Sequence, residues 1–174
     1  MYCGALLMPI PLERVEMFTT QAPPRPPIRK IVVSTLSSCV ALGILTALTV
    51  ATGHPWLIPP MAASMALIMG VPNLPLAQPR NVIGGQTVSA LVGVLVGIFG
   101  DSLWLGALAG GLALGAMMFA RMPHSPAAAT AVLGVSVDTS VAFVVLALLA
   151  AVVLVIVGLA GNKVNRTEYP TYVW

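Results

Sequence analysis

The chain has 174 residues, of which 58% are hydrophobic and 7% are charged, and its mean hydropathy is +0.98. A soluble domain spends about a quarter of its residues on Asp, Glu, Lys and Arg, so water is not the solvent in which this chain folds. The net charge of +3 comes from basic residues at the ends of apolar segments, so we expect no nucleic acid partner. Two cysteines without a Cys/His grouping favour neither a disulfide nor a metal site, and we expect no cofactor.

The two ends of the chain predict tails outside the membrane. Residues 1–30 contain a proline-rich run at 21–27, which favours a flexible, extended segment that buries nothing. Residues 162–174 begin with a polar run that is typical of a helix stop and continue as a short tail. The membrane domain is therefore expected to span residues 31–161.

Four uninterrupted apolar stretches predict membrane-spanning helices. None contains a charged side chain, and each is close to the roughly 20 residues that an α-helix needs to cross the hydrocarbon core. Backbone amides in lipid must be satisfied within their own segment, which favours helices. The four stretches are 31–52, 82–100, 103–120 and 139–161.

Two further apolar segments, 54–70 and 122–134, are interrupted by prolines. Proline blocks a helix before it and is tolerated in a first turn, so each segment predicts an extended lead followed by a short helix. Aligning Pro60 with Pro126 gives the shared pattern Pro-x-Ala-Ala-[Ser/Thr]-x-x-Leu, which indicates an internal repeat. Chance similarity between two alanine-rich helices is the alternative.

The distribution of charge favours six crossings. If both interrupted segments cross, the basic residues beside the membrane segments fall on the cytoplasmic side, and Asp101 and Asp138 fall on the other. We therefore predict an all-α polytopic protein with two inverted three-segment repeats, 31–100 and 103–161, whose central segments are broken. The alternative is four full helices plus two re-entrant half-helices. We expect a bacterial inner membrane protein with both termini in the cytoplasm.

The two helix breaks predict an anion site. The first amides after Pro60 and Pro126 would lack intrahelical partners, and helix N-termini carry partial positive charge. Ser64 and Thr130 would add hydroxyls one turn later, and alanines would let a small ligand approach the backbone. The competing interpretation is that small residues only permit close helix packing.

A polar stretch between two apolar segments, residues 75–86, adds a charged residue to the predicted anion site. Arg80 could neutralise an anion or anchor the interface, and Asn81 would cap a helix starting near Val82. His124 could couple proton movement to transport or serve as a hydrogen-bonded structural residue. The predicted substrate-binding residues are Ala62, Ala63, Ser64, Arg80, Asn81, His124, Ser125, Ala128, Ala129 and Thr130.

Catalysis finds no support in the sequence, which has no Ser/His/Asp or HExxH grouping and no phosphate loop, so we do not expect an enzyme.

The spacings Gly93/Gly97, Gly106/Gly110 and Gly111/Gly115 allow close helix contact within or between chains. A chain of 18.0 kDa offers little wall for a sealed pathway, so we expect a homo-oligomer, most simply a dimer.

The stretch Pro75-Leu-Ala-Gln-Pro-Arg-Asn-Val-Ile-Gly-Gly85, followed by Met122-Pro-His-Ser-Pro-Ala-Ala-Ala-Thr-Ala131, resembles the HPP family of integral membrane proteins. The resemblance covers roughly residues 30–161. Ser125 replaces the first proline of the family's His-Pro-Pro triplet, which loosens the lead before the second short helix. The resemblance implies a compact membrane domain, usually described with four helices. Plant members of the family are associated with nitrite transport into plastids.

Together, the residues and the resemblance predict membrane transport of a small inorganic anion, nitrite or a similar oxyanion, at a site between the two broken helices. Two alternatives stay open at this point. One is a membrane scaffold or accessory subunit without its own ligand, and the other is an aquaporin-like channel for a neutral solute.

Overall fold

The structure, a computed structural model, describes residues 23–136 and 140–172, and within these residues it is all-helical, with six α-helices and no strand. Residues 1–22 of the predicted tail at 1–30, and Asp138, lie outside the described residues. The helices are α1 (Ile28–Thr52), α2 (Pro59–Gly70), α3 (Pro79–Gly97), α4 (Leu103–Phe119), α5 (Ala127–Ser136) and α6 (Val141–Val164), with a 3₁₀ turn at Pro75–Ala77.

The helices agree in type with the sequence prediction. α1 and α6 are long and apolar enough to cross a membrane, and α2, α4 and α5 are shorter apolar helices. α3 begins at Pro79, three residues before the predicted stretch, because proline is accepted in the first turn of a helix. Gln78 rather than Asn81 is therefore the residue that precedes this helix, so the prediction that Asn81 caps it is wrong.

The two short helices run in opposite directions. α2 ends beside the end of α6, where the side-chain amide of Asn162 donates to the carbonyl of Ile68 at 3.0 Å. α5 instead ends beside the start of α6, where a Cβ on Gly134 would lie 3.2 Å from the Phe143 ring. Both helices follow non-helical leads, residues 53–58 and 120–126, as their prolines predict.

α3 lies at the centre of the bundle and uses glycine to bring α5 into backbone contact. A Cβ on Gly93 would lie only 2.4 Å from the carbonyl oxygen of Ala131. A Cβ on Gly85 would lie 2.6 Å from Cβ of His124, in the lead to α5. Small residues at these positions are therefore required for the close approach of the two elements.

Only some of the predicted glycine pairs are used in this way. A Cβ on Gly110 would lie 3.2 Å from Val132 of α5, whereas a Cβ on Gly111 or Gly115 would meet no atom within 4 Å. One face of α4 thus packs inside the bundle, and the other carries two glycines at which an added Cβ would meet none of the described residues. The homo-oligomer stays a prediction.

Several basic residues gather at one end of the bundle. Arg29 at the start of α1 donates to the carbonyl of Val164 at the end of α6, at 3.0 Å. The Arg80 guanidinium lies 3.5 Å from the carbonyl of Ala120, which immediately precedes Arg121. The connection before α3 and the connection after α4 therefore meet each other.

The C-terminal segment folds back onto the same end. The Tyr169 hydroxyl donates to the carbonyl of Ala77 at 3.0 Å, and the Thr171 amide donates to Oε1 of Gln78 at 2.9 Å. Burial raises the pKa of the Tyr169 phenol, so the hydroxyl stays protonated and can donate this hydrogen bond. These bonds join the residues after α6 to the connection between α2 and α3.

Candidate functional site

Four polar side chains form a hydrogen-bonded network inside the apolar core. Ser64, Gln86, His124 and Thr130 all have 0% exposure. Thr130 donates to Oε1 of Gln86, whose Nε2 lies 2.9 Å from Oγ of Ser64. Oγ of Ser64 lies 2.7 Å from Nε2 of His124, and Nδ1 of His124 lies 2.7 Å from the carbonyl oxygen of Leu76.

The chemistry of the groups gives the direction of each bond when the Ser64 hydroxyl points toward His124. The carbonyl of Leu76 only accepts, so Nδ1 of His124 carries the hydrogen, and Nε2 of the neutral imidazole accepts from the Ser64 hydroxyl. Oγ of Ser64 in turn accepts from the Gln86 amide. The result is a chain of donors running from Thr130 to Leu76, in which each link has one donor and one acceptor.

A second acceptor competes for the hydrogen of Ser64. Oγ of Ser64 also lies 2.8 Å from the carbonyl oxygen of Pro60, one turn earlier in α2. The hydroxyl has a single hydrogen, so it is either shared between Pro60 and His124 or turned toward one of them. Ser64 is therefore the link at which the network can change partners.

Local structure explains why these residues meet. Ser64 lies one turn into α2 and Thr130 lies near the start of α5, so both polar groups lie close to the non-helical residues before a short helix. These are the two residues that the repeat alignment pairs. Both converge on Gln86 of α3, from helices that run in opposite directions.

Burying these polar side chains costs free energy unless each has a hydrogen-bond partner. Burying a hydroxyl or amide without a partner costs roughly 2–7 kcal/mol, depending on the reference state, whereas hydrogen bonds between membrane helices average only about 0.6 kcal/mol. The network therefore adds little net stability compared with apolar packing. It strongly disfavours any movement that separates some of its groups and leaves them buried without partners. The arrangement holds α2, α3 and α5 in one relative position.

The structure brings only some of the predicted site residues together. Arg80 and Asn81 are outside the network and line a separate cavity of about 540 Å³ at the basic end of the bundle. Ala63 and Ser125 line another cavity of about 470 Å³, between α2 and the lead to α5. The predicted site residues, apart from the remaining alanines, thus fall in three places: the network, the basic cavity and this outer cavity.

The remaining alanines lie away from the network as well. Ala62 and Ala129 are exposed, and Ala128 is half-buried, with its carbonyl oxygen 3.8 Å from the position of a Cβ on Gly110. None of the three hydrogen bonds that link the network side chains to one another involves them.

The amides that were expected to bind an anion are largely occupied. The amides of Ala127, Ala128 and Ala129 donate to the carbonyls of residues 124–126, at 3.0–3.3 Å. The amide of Met61 donates to the carbonyl of Ile58 at 2.9 Å. The prediction of unpaired amides is wrong at these positions, because the amides bond to carbonyls three residues earlier, in the leads or at the helix start.

Gln86 is the central residue that the predicted site left out. It accepts from Thr130 and donates to Ser64, so it connects the two short helices. The available signal was an amide side chain inside an otherwise apolar membrane stretch, where a polar residue must find a partner in the protein. Ser89, one turn further along α3, is also fully buried, and its hydroxyl has no hydrogen-bond partner among the described residues.

Metal chemistry has no evident ligand set here. Across residues 23–136 and 140–172, no group of three or more His, Cys, Asp or Glu side chains could hold a metal ion.

Comparison with known proteins identifies relatives in one family. The family described as "HPP, transmembrane region" matches residues 23–170. A transmembrane protein of Dictyostelium discoideum is 31% identical over 169 residues, covering 88% of this chain and 54% of the relative. A second transmembrane protein of that organism is 35% identical over 129 residues, covering 68% of this chain and 45% of the relative.

The chain thus spans about half the length of these curated relatives. No solved structure matches it. The family match covers most of the chain, including the network and the basic end, and the relatives are named as membrane proteins. The chain is an integral membrane protein that belongs to the HPP transmembrane-region family.

Proposed function

We propose that this protein transports a small inorganic anion, nitrite or a similar oxyanion, across the membrane. The observation that carries the proposal is the buried network of Ser64, Gln86, His124 and Thr130, which joins two short helices of opposite direction. Polar side chains inside a membrane domain are rare and mark substrate and ion pathways. The network is the place in the described core where four buried polar side chains bond to one another.

The arrangement of the short helices supports the proposal. Inverted repeats with discontinuous central helices place their substrates near the membrane midplane, where the breaks face each other. We assign α2 and α5 to this role, as the broken segments of two inverted halves. A dimeric state and six crossings with cytoplasmic termini belong to the same proposal.

The donors of the network suit a small oxyanion. The Gln86 amide and the Ser64 and Thr130 hydroxyls are neutral donors. Neutral donors bind an anion weakly enough to release it again, as transport requires. In this conformation the three groups satisfy one another, so transport requires them to part and turn their hydrogens toward the anion. Arg80 and Arg121 at the basic end would attract anions from solution.

Flux measurements on reconstituted protein test the proposal. Purified chain in proteoliposomes should carry nitrite, and Gln86→Leu should reduce the flux at least tenfold because it removes both the donor and the acceptor at the centre of the network. Thr87→Val is the matched control. Thr87 lies on the same helix, but its hydroxyl donates only to the carbonyl of Ile83 in its own helix, so the flux should stay within twofold.

The competing functions give different results in the same assay. Absence of nitrite flux in folded wild-type protein contradicts the proposal and favours a scaffold. Solute flux that nitrate and other anions fail to inhibit favours a pore for a neutral solute. Equal flux through wild-type protein and Gln86→Leu would show that the network is not part of the transport pathway.

A further inference from the structure

The imidazole of His124 is held so that only one of its two nitrogens can gain or lose a hydrogen. Nδ1 lies 2.7 Å from the carbonyl oxygen of Leu76, which can only accept, so Nδ1 keeps its hydrogen. Nε2 lies 2.7 Å from Oγ of Ser64 and carries no hydrogen in the neutral ring. A proton that reaches His124 is therefore bound at Nε2, on the side of the ring that faces the network.

The hydroxyl of Ser64 has a second acceptor within reach. Its Oγ lies 2.8 Å from the carbonyl oxygen of Pro60, in addition to its contact with Nε2 of His124. When Nε2 carries no hydrogen, it can accept the hydrogen of Ser64. When Nε2 carries a proton, it donates to Oγ, and Ser64 turns its own hydrogen toward Pro60. The network can thus take up a proton through the rotation of one hydroxyl group.

The hydrogen bonds of the network are complete in both protonation states. Oγ of Ser64 has two lone pairs, so it can accept from Nε2 of Gln86, at 2.9 Å, and from protonated His124 at the same time. Oε1 of Gln86 accepts from Thr130 in either state. A histidine that only holds helices together needs a complete set of bonds in one state. The surroundings of His124 provide such a set in two.

His124 is the group in these surroundings whose charge can change near neutral pH. The helices α2, α4 and α5 contain no titratable side chain. α3 contributes Arg80, the lead to α5 contributes Arg121, and Tyr169 bonds to the connection before α3. Arginine stays charged, and the Tyr169 phenol stays protonated because burial raises its pKa.

A charged imidazole in this position needs an anion nearby. His124 has 0% exposure, and a buried charge loses its favourable interaction with water unless an opposite charge replaces it. The proposed transport site would hold an anion at the donors that His124 contacts through Ser64. The anion then stabilises the imidazolium, and the imidazolium strengthens anion binding to the same extent. Proton and anion thus favour each other's binding.

We propose that His124 takes up a proton at Nε2 when the anion binds, and that the protein carries the two together. This inference rests on the proposed transport function and adds the coupling ion to it. The proton comes from the solution on one side, forms a bond to Nε2, and returns to the solution on the other side when the anion leaves. No electron is transferred, and nitrite with one proton crosses without net charge.

A pH gradient across proteoliposomes tests the coupling. The initial rate of nitrite uptake would be measured with the membrane potential held at zero, and uptake by protein-free liposomes would be subtracted because nitrous acid crosses lipid unaided. An outer solution one pH unit more acidic than the lumen should raise uptake by the wild type at least threefold. His124→Gln retains a donor and an acceptor but cannot gain a proton, so this variant should lose the stimulation.

His54→Gln is the matched control. His54 is the other of the two histidines in the chain, and it is exposed in the lead to α2. Both variants make the same chemical change, and only His124→Gln should lose the response to the pH gradient. An equal loss in His54→Gln would overturn the assignment of the proton to His124.

Nuclear magnetic resonance tests the same site without flux. In His54→Gln, His124 is the only histidine of the chain, so isotope-labelled histidine reports on this ring alone. In detergent near neutral pH, the ring should be neutral with its hydrogen on Nδ1. Nitrite at the same pH should shift it toward the imidazolium, in contrast to an equal concentration of gluconate, an anion too large for the site.

The outcomes separate this proposal from the proposed function. Nitrite uptake that does not respond to the pH gradient overturns the coupling and leaves anion transport standing. A ring that stays neutral in the presence of nitrite, or stimulation that persists in His124→Gln, overturns the role of His124. No nitrite uptake by folded wild-type protein contradicts transport itself, and the coupling with it.

Discussion

At the scale of single residues, Gln86 connects the two short helices through the buried network. Its side chain receives a hydrogen from Thr130 and gives one to Ser64, so its removal takes the acceptor from the Thr130 hydroxyl and one of the partners from Ser64. A buried group left unpaired costs about 1–3 kcal/mol, more than the bond itself contributes. The residue is therefore expected to matter more for stability than its single position suggests.

A double-mutant cycle measures this coupling. Gln86→Leu and Thr130→Val should each lower the free energy of unfolding in detergent by about 1–3 kcal/mol, because each leaves a buried partner unsatisfied. The double variant should lose about 1 kcal/mol less than the sum of the single losses, since it leaves fewer orphaned groups. Thr87→Val combined with Gln86→Leu should instead be additive. Additive losses in the first pair would show that the two side chains do not interact.

At the scale of elements, the contact between α3 and α5 depends on glycine. The Gly93 position faces the backbone of Ala131 rather than a movable side chain, so an added methyl group cannot be accommodated by a rotamer change. The sequence contains three pairs of glycines at the same spacing, and spacing does not indicate which of them face a neighbouring helix. Only the packed bundle distinguishes Gly93 from Gly111.

Two glycine substitutions test this distinction. Gly93→Ala should destabilise the chain by about 1–3 kcal/mol, as overpacking in a well-packed core does. Gly111→Ala should be neutral or stabilise by up to about 1 kcal/mol, because alanine favours helix and the new methyl group meets no atom within 4 Å. Thermal unfolding of both variants in one detergent gives the comparison. Equal destabilisation would indicate that Gly111 also faces a packed surface, as in an oligomer.

At the scale of the whole molecule, the side of the membrane on which each connection lies distinguishes six crossings from four. The connection between α2 and α3 contacts the C-terminal segment through Tyr169 and Thr171, so these parts share one end of the bundle. With six crossings, this end is cytoplasmic and carries the basic residues. With four crossings, the connection between α2 and α3 would lie on the opposite side from the C-terminal segment.

Cysteine labelling tests the proposed topology. Asn73→Cys, Ser102→Cys and Glu168→Cys would each be placed in a chain whose Cys3 and Cys39 are replaced by serine. Asn73, Ser102 and Glu168 are exposed residues outside the cores of the helices. A membrane-impermeant maleimide should label Ser102→Cys in intact cells and should label the other two only after permeabilisation. Labelling of Asn73→Cys, but not Glu168→Cys, in intact cells would contradict six crossings.

The sequence by itself determined the membrane class, the helical type and the non-helical residues before the two short helices. Hydropathy and the proline restriction are local properties, and each acts on residues close together in the chain. The same local patterns identified Ser64, His124 and Thr130 as polar residues near the breaks. The family resemblance was confirmed by the match over residues 23–170.

Only the tertiary structure decided how these residues are combined. The hydrogen-bond partners of Gln86 lie 22 and 44 residues away in the chain, and the cavity between Arg80 and Arg121 joins two separate loops. Such pairings depend on which helix faces pack together, and that depends on where glycine permits close backbone approach. For this reason the predicted single anion site separated into a closed polar network, a basic cavity and an outer surface.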